Sequence, residues 1–61
     1  MDEKALEEYC FKAHKEAFEN WPYGNPVKNW TDEEGNFCIE YEGGKWYHYA
    51  VKWVTGEVEW W

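Results

Sequence analysis

The hydrophobic residues of this chain change their spacing once, and this change limits the fold more than any other feature. Before Asn20 they recur at steps of three and four, the period of a helix with one buried face; they include Leu6, Tyr9, Cys10, Ala13 and Ala17. After Pro26 they alternate, and glycines appear at short intervals, which indicates a run of hairpins. The sequence therefore predicts an α+β fold, with one N-terminal amphipathic helix packed on one face of a three- to four-stranded antiparallel β-meander.

We expect a single domain over residues 1–61, with the helix at about 2–19, a connector at 20–26 and the meander at 27–61. The connector contains Pro22 and Pro26, which lack the amide donor that a helix needs. The predicted strands are Val27–Thr31, Asn36–Glu42, Lys45–Val54 and Glu57–Trp61.

The glycine pair between the second and third strands allows two registers, and the choice decides which face each residue occupies. A two-residue turn would pair Glu42 with Lys45. It would bring Lys52 onto the core face, together with Trp46, His48 and Ala50. A three-residue turn with a bulge at Gly44 pairs Tyr41 with Lys45 instead, and we prefer it because it gathers apolar residues. The predicted inner face then holds Phe37, Ile39, Tyr41, Tyr47, Tyr49, Val51 and Trp53.

A two-residue turn at Thr55-Gly56 would extend this inner face into the last strand. It would place Val58 opposite Trp53 and Trp60 opposite Val51. We expect the helix to cover all of these residues.

The outer face would carry the candidate binding residues. Trp46, His48 and Trp61 would be the anchors, and an acidic rim would be formed by Glu40, Glu42, Glu57 and Glu59. Exposed aromatic groups commonly mark binding sites. Packing of the two indoles across the strands would explain them without a partner, since it stiffens a thin sheet, and a domain this small favours that interpretation slightly over a binding role. Glu59 is expected to form a cross-strand ion pair with Lys52.

The charge of the chain narrows the choice of partner. Thirteen acidic residues stand against six lysines, no arginine is present, and the net charge is −7. This balance argues against binding to a phosphate backbone, so we expect no nucleic acid partner. No window approaches the roughly 20 apolar residues of a membrane span, and the charged start is unlike a signal peptide. We expect a cytoplasmic protein that does not bind membranes.

No group of residues has the pattern of a catalytic or metal site. Serine is absent, and Cys10 lies on the buried stripe of the helix, where a thiol is not an accessible nucleophile. Cys10 with His14 and Cys38 with His48 could supply four zinc ligands, but the preferred register turns the second pair away from the helix. The same separation argues against a disulfide. We therefore predict no catalytic residue, no metal, no cofactor and no enzymatic activity.

A resemblance over the whole chain rests on three features: the stretch GNFCIEYEGGKWYHY, the terminal EWW, and basic residues that are all lysine. The chain resembles short uncharacterised proteins encoded in mobile elements or prophages of Firmicutes bacteria. The resemblance implies a cytoplasmic accessory protein that binds a host or element-encoded protein.

These observations lead to two hypotheses of function. The first is a small, non-enzymatic, acidic protein-interaction module that uses the aromatic outer face to bind a protein with a basic surface. The alternative is a small-ligand or carbohydrate- or peptide-binding domain with an aromatic stacking platform, which predicts a concavity. Free strand edges are compatible with a monomer or a weak homodimer.

Overall fold

The computed structural model describes residues 2–61 and shows one helix against one four-stranded sheet. The helix α1 spans Glu3–Glu16. The strands are β1 at Pro26–Thr31, β2 at Phe37–Tyr41, β3 at Trp46–Lys52 and β4 at Glu57–Trp60. They lie in the order β1-β2-β3-β4 with antiparallel neighbours, so the predicted α+β meander is confirmed. Within residues 2–61, no helix has the length and apolar character needed to cross a membrane.

The helix begins as expected and ends earlier than expected. Asp2 is the N-cap, and its carboxylate accepts a hydrogen bond of 2.7 Å from the amide of Ala5. The predicted end at about residue 19 is wrong, because the last helical residue is Glu16. Beyond Glu16 the backbone tightens, because the amides of Ala17 and Phe18 donate to the carbonyls three residues back, of His14 and Lys15, at 3.1 Å each.

The predicted bulge between β2 and β3 is confirmed. The amide of Tyr41 donates to the carbonyl of Lys45 at 2.8 Å, and Gly44 has a φ of +87°, a conformation that favours glycine. Cys38 is consequently opposite His48. This register turns Ile39 and Tyr41 toward the helix, where both are fully buried.

The turn between β3 and β4 differs from the prediction. Lys52 pairs with Glu57, so the loop contains four residues and not two. Val58 is opposite Val51, and Trp60 is opposite Tyr49. The carbonyl of Lys52 accepts from the amides of both Thr55 and Gly56, and these two bonds close the longer loop.

This longer loop removes Trp53 from the inner face. Trp53 lies in the turn, is 60% exposed, and stacks on Tyr9 with ring centroids 5.9 Å apart. The prediction that Trp53 is a core residue is therefore wrong. The loop is two residues longer than predicted, and an even shift preserves the strand faces, so Val58 and Trp60 still pack against the core.

A chain of polar side chains crosses the buried layer between helix and sheet. The hydroxyl of Tyr49 lies 2.7 Å from Nδ1 of His14 and 2.6 Å from the hydroxyl of Tyr41. His14 is 1% exposed, and burial lowers its pKa from 6.5 to about 4. Burial is also the main cause that raises the pKa of Tyr41 to about 12. The inner side of the sheet is thus an aromatic core with satisfied polar groups.

Candidate functional site

The face of the sheet turned away from the helix carries a continuous row of four aromatic side chains. The ring centroids of Trp30 and Trp46 are 5.5 Å apart, those of Trp46 and His48 are 4.9 Å apart, and those of His48 and Trp61 are 5.1 Å apart. All three distances lie in the range of favourable aromatic pairs. We call Trp30, Trp46, His48 and Trp61 the aromatic row.

The row is packed on itself and still open to solvent. Trp46 is 47% exposed and Trp61 is 54% exposed, whereas His48 and Trp30 are partly buried between neighbours. The rings of His48 and Trp61 are nearly parallel, at 3°. The rings therefore pack on one another across the strands and still leave about half of the Trp46 and Trp61 indoles exposed to solvent.

Trp61 is held in place by the backbone although it lies beyond the last residue of β4. The amide of His48 donates to the carbonyl of Trp61 at 3.0 Å, and the amide of Trp61 donates to the carbonyl of His48 at 3.2 Å. The ladder thus continues one residue past Trp60. This pair fixes the position at which the Trp61 indole meets the His48 ring.

The four predicted rim carboxylates have different surroundings. Glu59 forms an ion pair of 2.9 Å with Lys52, as predicted, although the two residues are diagonal and not directly opposed. This contact raises the pKa of Lys52. Glu42 lies in the turn after β2, and its Oε1 accepts from the amide of Asn25 at 2.8 Å. It therefore holds the connector against the sheet.

The other two rim carboxylates have surroundings of a third kind. Glu40 pairs across the strands with Trp46, and Glu57 is exposed at the start of β4. Neither forms an ion pair among residues 2–61. At the Trp30 end of the row there is a positive charge, because Nζ of Lys28 lies 5.5 Å from the centroid of the Trp30 ring.

Three potential ligand side chains meet at the centre of this face. Donor atoms of Asp32, Cys38 and His48 all lie within 4.8 Å of one another. Nε2 of His48 is 3.5 Å from Oδ2 of Asp32, and Nδ1 of His48 is 3.3 Å from the carbonyl of Trp61. The Cys38 side chain lies between Trp30 on β1 and His48 on β3, and it is fully buried.

The pKa values in this group depend on the neighbours of each residue. Hydrogen bonds, the largest from the backbone amide of Asn36, lower the pKa of Asp32, and the charge of His48 is a smaller cause. Burial, followed by the negative charge of Asp32, raises the pKa of the Cys38 thiol. The group is therefore a carboxylate and an imidazole beside a neutral thiol.

The other cysteine and histidine lie on the opposite side of the sheet. Cys10 is fully buried against the inner face, and burial raises the pKa of its thiol to about 11. Both cysteines are free. Cys10 and His14 cannot converge with Cys38 and His48, because the sheet separates the two pairs.

Sequence reasoning missed two residues of this face, Trp30 and Asp32. Their positions depend on the pairing of β1 with β2, in which Trp30 is opposite Cys38. The amino-acid composition of the five-residue loop between these strands is compatible with more than one register. The sequence signal that could have placed Trp30 is alternation along β1, which puts Lys28 and Trp30 on one face and Asn29 on the other. In the structure the side chain of Asn29 is on the helix side, where it donates to Glu7 at 2.6 Å.

The helix side of the molecule has two grooves of its own. One is lined by Lys12, Lys15, Glu16, Phe18, Glu19 and Trp21. The other is lined by Tyr9, Lys12, Ala13, Glu16 and Gly56. Neither groove includes a residue of the aromatic row.

The fold and the face together define a small α+β domain in which one helix covers one side of a β-meander and the other side carries an open aromatic row. Comparison of this chain with protein-family models, with curated proteins and with solved structures finds no match.

Proposed function

We propose that this protein is a small, non-enzymatic interaction module that binds a basic protein surface through the outer face of its sheet. The aromatic row carries this proposal, because it exposes about half of Trp46 and of Trp61 on a rigid sheet. Clusters of aromatic side chains ringed by polar groups are where protein interfaces concentrate binding energy.

The charge around the row supports a basic partner. Glu40 is directly opposite Trp46, Glu57 is exposed at the start of β4, and the chain as a whole has a net charge of −7. Charges at the edge of an interface accelerate encounter more than they increase final affinity. Association should therefore slow as salt is added, while the bound complex still depends mainly on the indoles. The resemblance to mobile-element proteins agrees with a host or element-encoded partner.

The test is capture of a partner by the tagged protein, with tryptophan variants run in parallel. Trp46→Ala and Trp61→Ala should weaken the captured complex by at least about tenfold, or about 1.4 kcal/mol. Trp53→Ala is the matched control, because Trp53 is more exposed than either but lies in the β3–β4 turn against Tyr9. Equal binding by all three variants would contradict the proposal.

A defined probe tests the charge preference directly. Lysine-rich, neutral and glutamate-rich peptides of matched length would be titrated while the six tryptophan indole signals are followed by NMR. We expect the lysine-rich peptide to shift the signals of Trp46 and Trp61, and Glu40→Gln with Glu57→Gln to reduce the effect. Glu8→Gln changes an exposed residue on the helix and should leave these shifts unchanged. A stronger response to sugars would favour the ligand-binding alternative instead.

A further inference from the structure

We propose that Asp32, Cys38 and His48 form a binding site for a single zinc ion at the centre of the outer face. The three side chains come from the β1–β2 turn, from β2 and from β3, and their donor atoms converge within 4.8 Å. This site shares His48 with the aromatic row but does not depend on the proposed partner-binding function, because it can be tested on the isolated protein.

The donor atoms match zinc in chemistry, and one pair of them already has the spacing of a zinc site. One carboxylate oxygen, one thiolate sulfur and one imidazole nitrogen are all common zinc ligands. Zinc bonds of about 2.0 to 2.3 Å place neighbouring donors of a tetrahedral site roughly 3.3 to 3.8 Å apart. The distance of 3.5 Å between Nε2 of His48 and Oδ2 of Asp32 already lies in that range. Small side-chain rotations would close the remaining distances, and a water would occupy the fourth position.

The surroundings of His48 orient its ring for metal binding. Nδ1 faces the carbonyl of Trp61 at 3.3 Å, so donation of that N–H would leave Nε2 as the free lone pair facing Asp32. Metal-binding histidines generally donate their second nitrogen to such an oxygen, which fixes the tautomer. Stacking on Trp61 at 5.1 Å further restricts rotation of the ring.

Asp32 is held in a similar way. Its Oδ1 accepts hydrogen bonds of 2.9 Å from the amides of Glu34 and Asn36. Oδ2 has only a longer contact of 3.4 Å, with the side chain of Asn36, and it is the oxygen that faces His48. The loop thus presents one oxygen to the site and anchors the other.

Cys38 gives the site its preference for zinc over harder cations. Its Sγ is fully buried and has only a weak contact, 3.6 Å, with the carbonyl of Asn36. A thiolate favours zinc and similar ions over magnesium or calcium. Zinc would bind the thiolate and release the thiol proton to solvent, so the affinity should rise with pH.

Titration of chelator-treated protein with zinc and with cobalt tests this inference. We expect one ion per chain, proton release in calorimetry, and a thiolate-to-cobalt charge-transfer absorption. Cys38→Ser should abolish that absorption, whereas Cys10→Ser, the matched change on the inner face, should retain it. Asp32→Asn should weaken zinc binding by at least about tenfold, since even outer-shell changes cost 10- to 100-fold.

Folding defects in a variant would not obscure the result, because the wild-type protein contains only two histidines. Zinc should shift the ring signals of His48 in NMR and leave those of His14 unchanged. Absence of zinc binding, or shifts at His14 in place of His48, would overturn the proposal. Failure of the wild-type protein to capture any partner, with zinc binding intact, would count against the proposed function alone.

Discussion

His14 is the residue around which the buried side of this molecule is organised. Its ring stacks on Trp60 at 4.3 Å, and the edges of Tyr47 and Trp21 approach it at 4.7 and 4.8 Å. Helical spacing places His14 beside the apolar stripe of the helix. Its complete burial depends on aromatic residues from β3, β4 and the connector, which the helical pattern does not reveal.

The burial of His14 predicts a pH-dependent loss of stability. Its pKa is about 4 in the folded protein, whereas an exposed histidine in the unfolded chain has its ordinary pKa of 6.5, so the unfolded chain binds a proton more readily between these values. The stability from this group is complete above pH 6.5 and falls as the pH drops toward 4. We expect a loss of about 2 kcal/mol between pH 7 and pH 5, measured by urea unfolding.

His14→Gln is the control for this prediction, because glutamine cannot titrate in that range. The variant should lose much less stability between pH 7 and pH 5 than the wild-type protein. An NMR titration in which the His14 ring protonates above pH 6 would contradict the prediction.

At the scale of elements, the turns decide how the strands present their residues. The bulge at Gly44 was predictable, because only the bulged register keeps Lys52 off the apolar face. The four-residue turn after Lys52 was not predictable, because loops of two and four residues place every strand residue on the same face. The two loop lengths differ only in which residues of β3 and β4 are directly opposite each other. In the four-residue loop Lys52 is opposite Glu57, so Trp53 lies in the turn.

The bulge makes a prediction for the two adjacent glycines. Gly44→Ala should destabilise the protein by about 1–2 kcal/mol, because its φ of +87° is costly for a residue with a side chain. Gly43→Ala should change stability by less than about 0.5 kcal/mol, since its φ is not positive and a new Cβ would lie 3.7 Å from the nearest atom. Urea unfolding measures both, and equal effects would contradict the bulged turn.

At the scale of the whole molecule, the polar chain through Tyr49 connects helix and sheet. Tyr49 → Phe should cost roughly 2 to 4 kcal/mol, because it leaves His14 and Tyr41 without their buried partner. Tyr47→Phe is the matched control. Its hydroxyl donates to Tyr23 at 3.1 Å in a partly buried position, so we expect a loss below about 1 kcal/mol. Thermal or urea unfolding that ranks the two variants in the opposite order would contradict this.

The two faces of the sheet divide the aromatic residues of the whole molecule by role. The inner face packs tyrosines and Trp60 against the helix, and the outer face presents the aromatic row to solvent. Such a division gives a domain this small both an aromatic core and an exposed aromatic face. The proposed zinc site would join β2, β3 and the β1–β2 turn on the outer side, as Tyr49 joins helix and sheet on the inner side.

The sequence by itself determined the helix, the strands, the bulge at Gly44 and the outer positions of Trp46, His48 and Trp61. These follow from periodicity and local turn chemistry, which act between neighbouring residues. Only the tertiary structure decided that Trp30 stacks on Trp46, that Trp53 leaves the core, and that Asp32 approaches Cys38 and His48. These contacts depend on loop lengths and strand registers that differ little in local energy, and packing across the whole sheet selects among them.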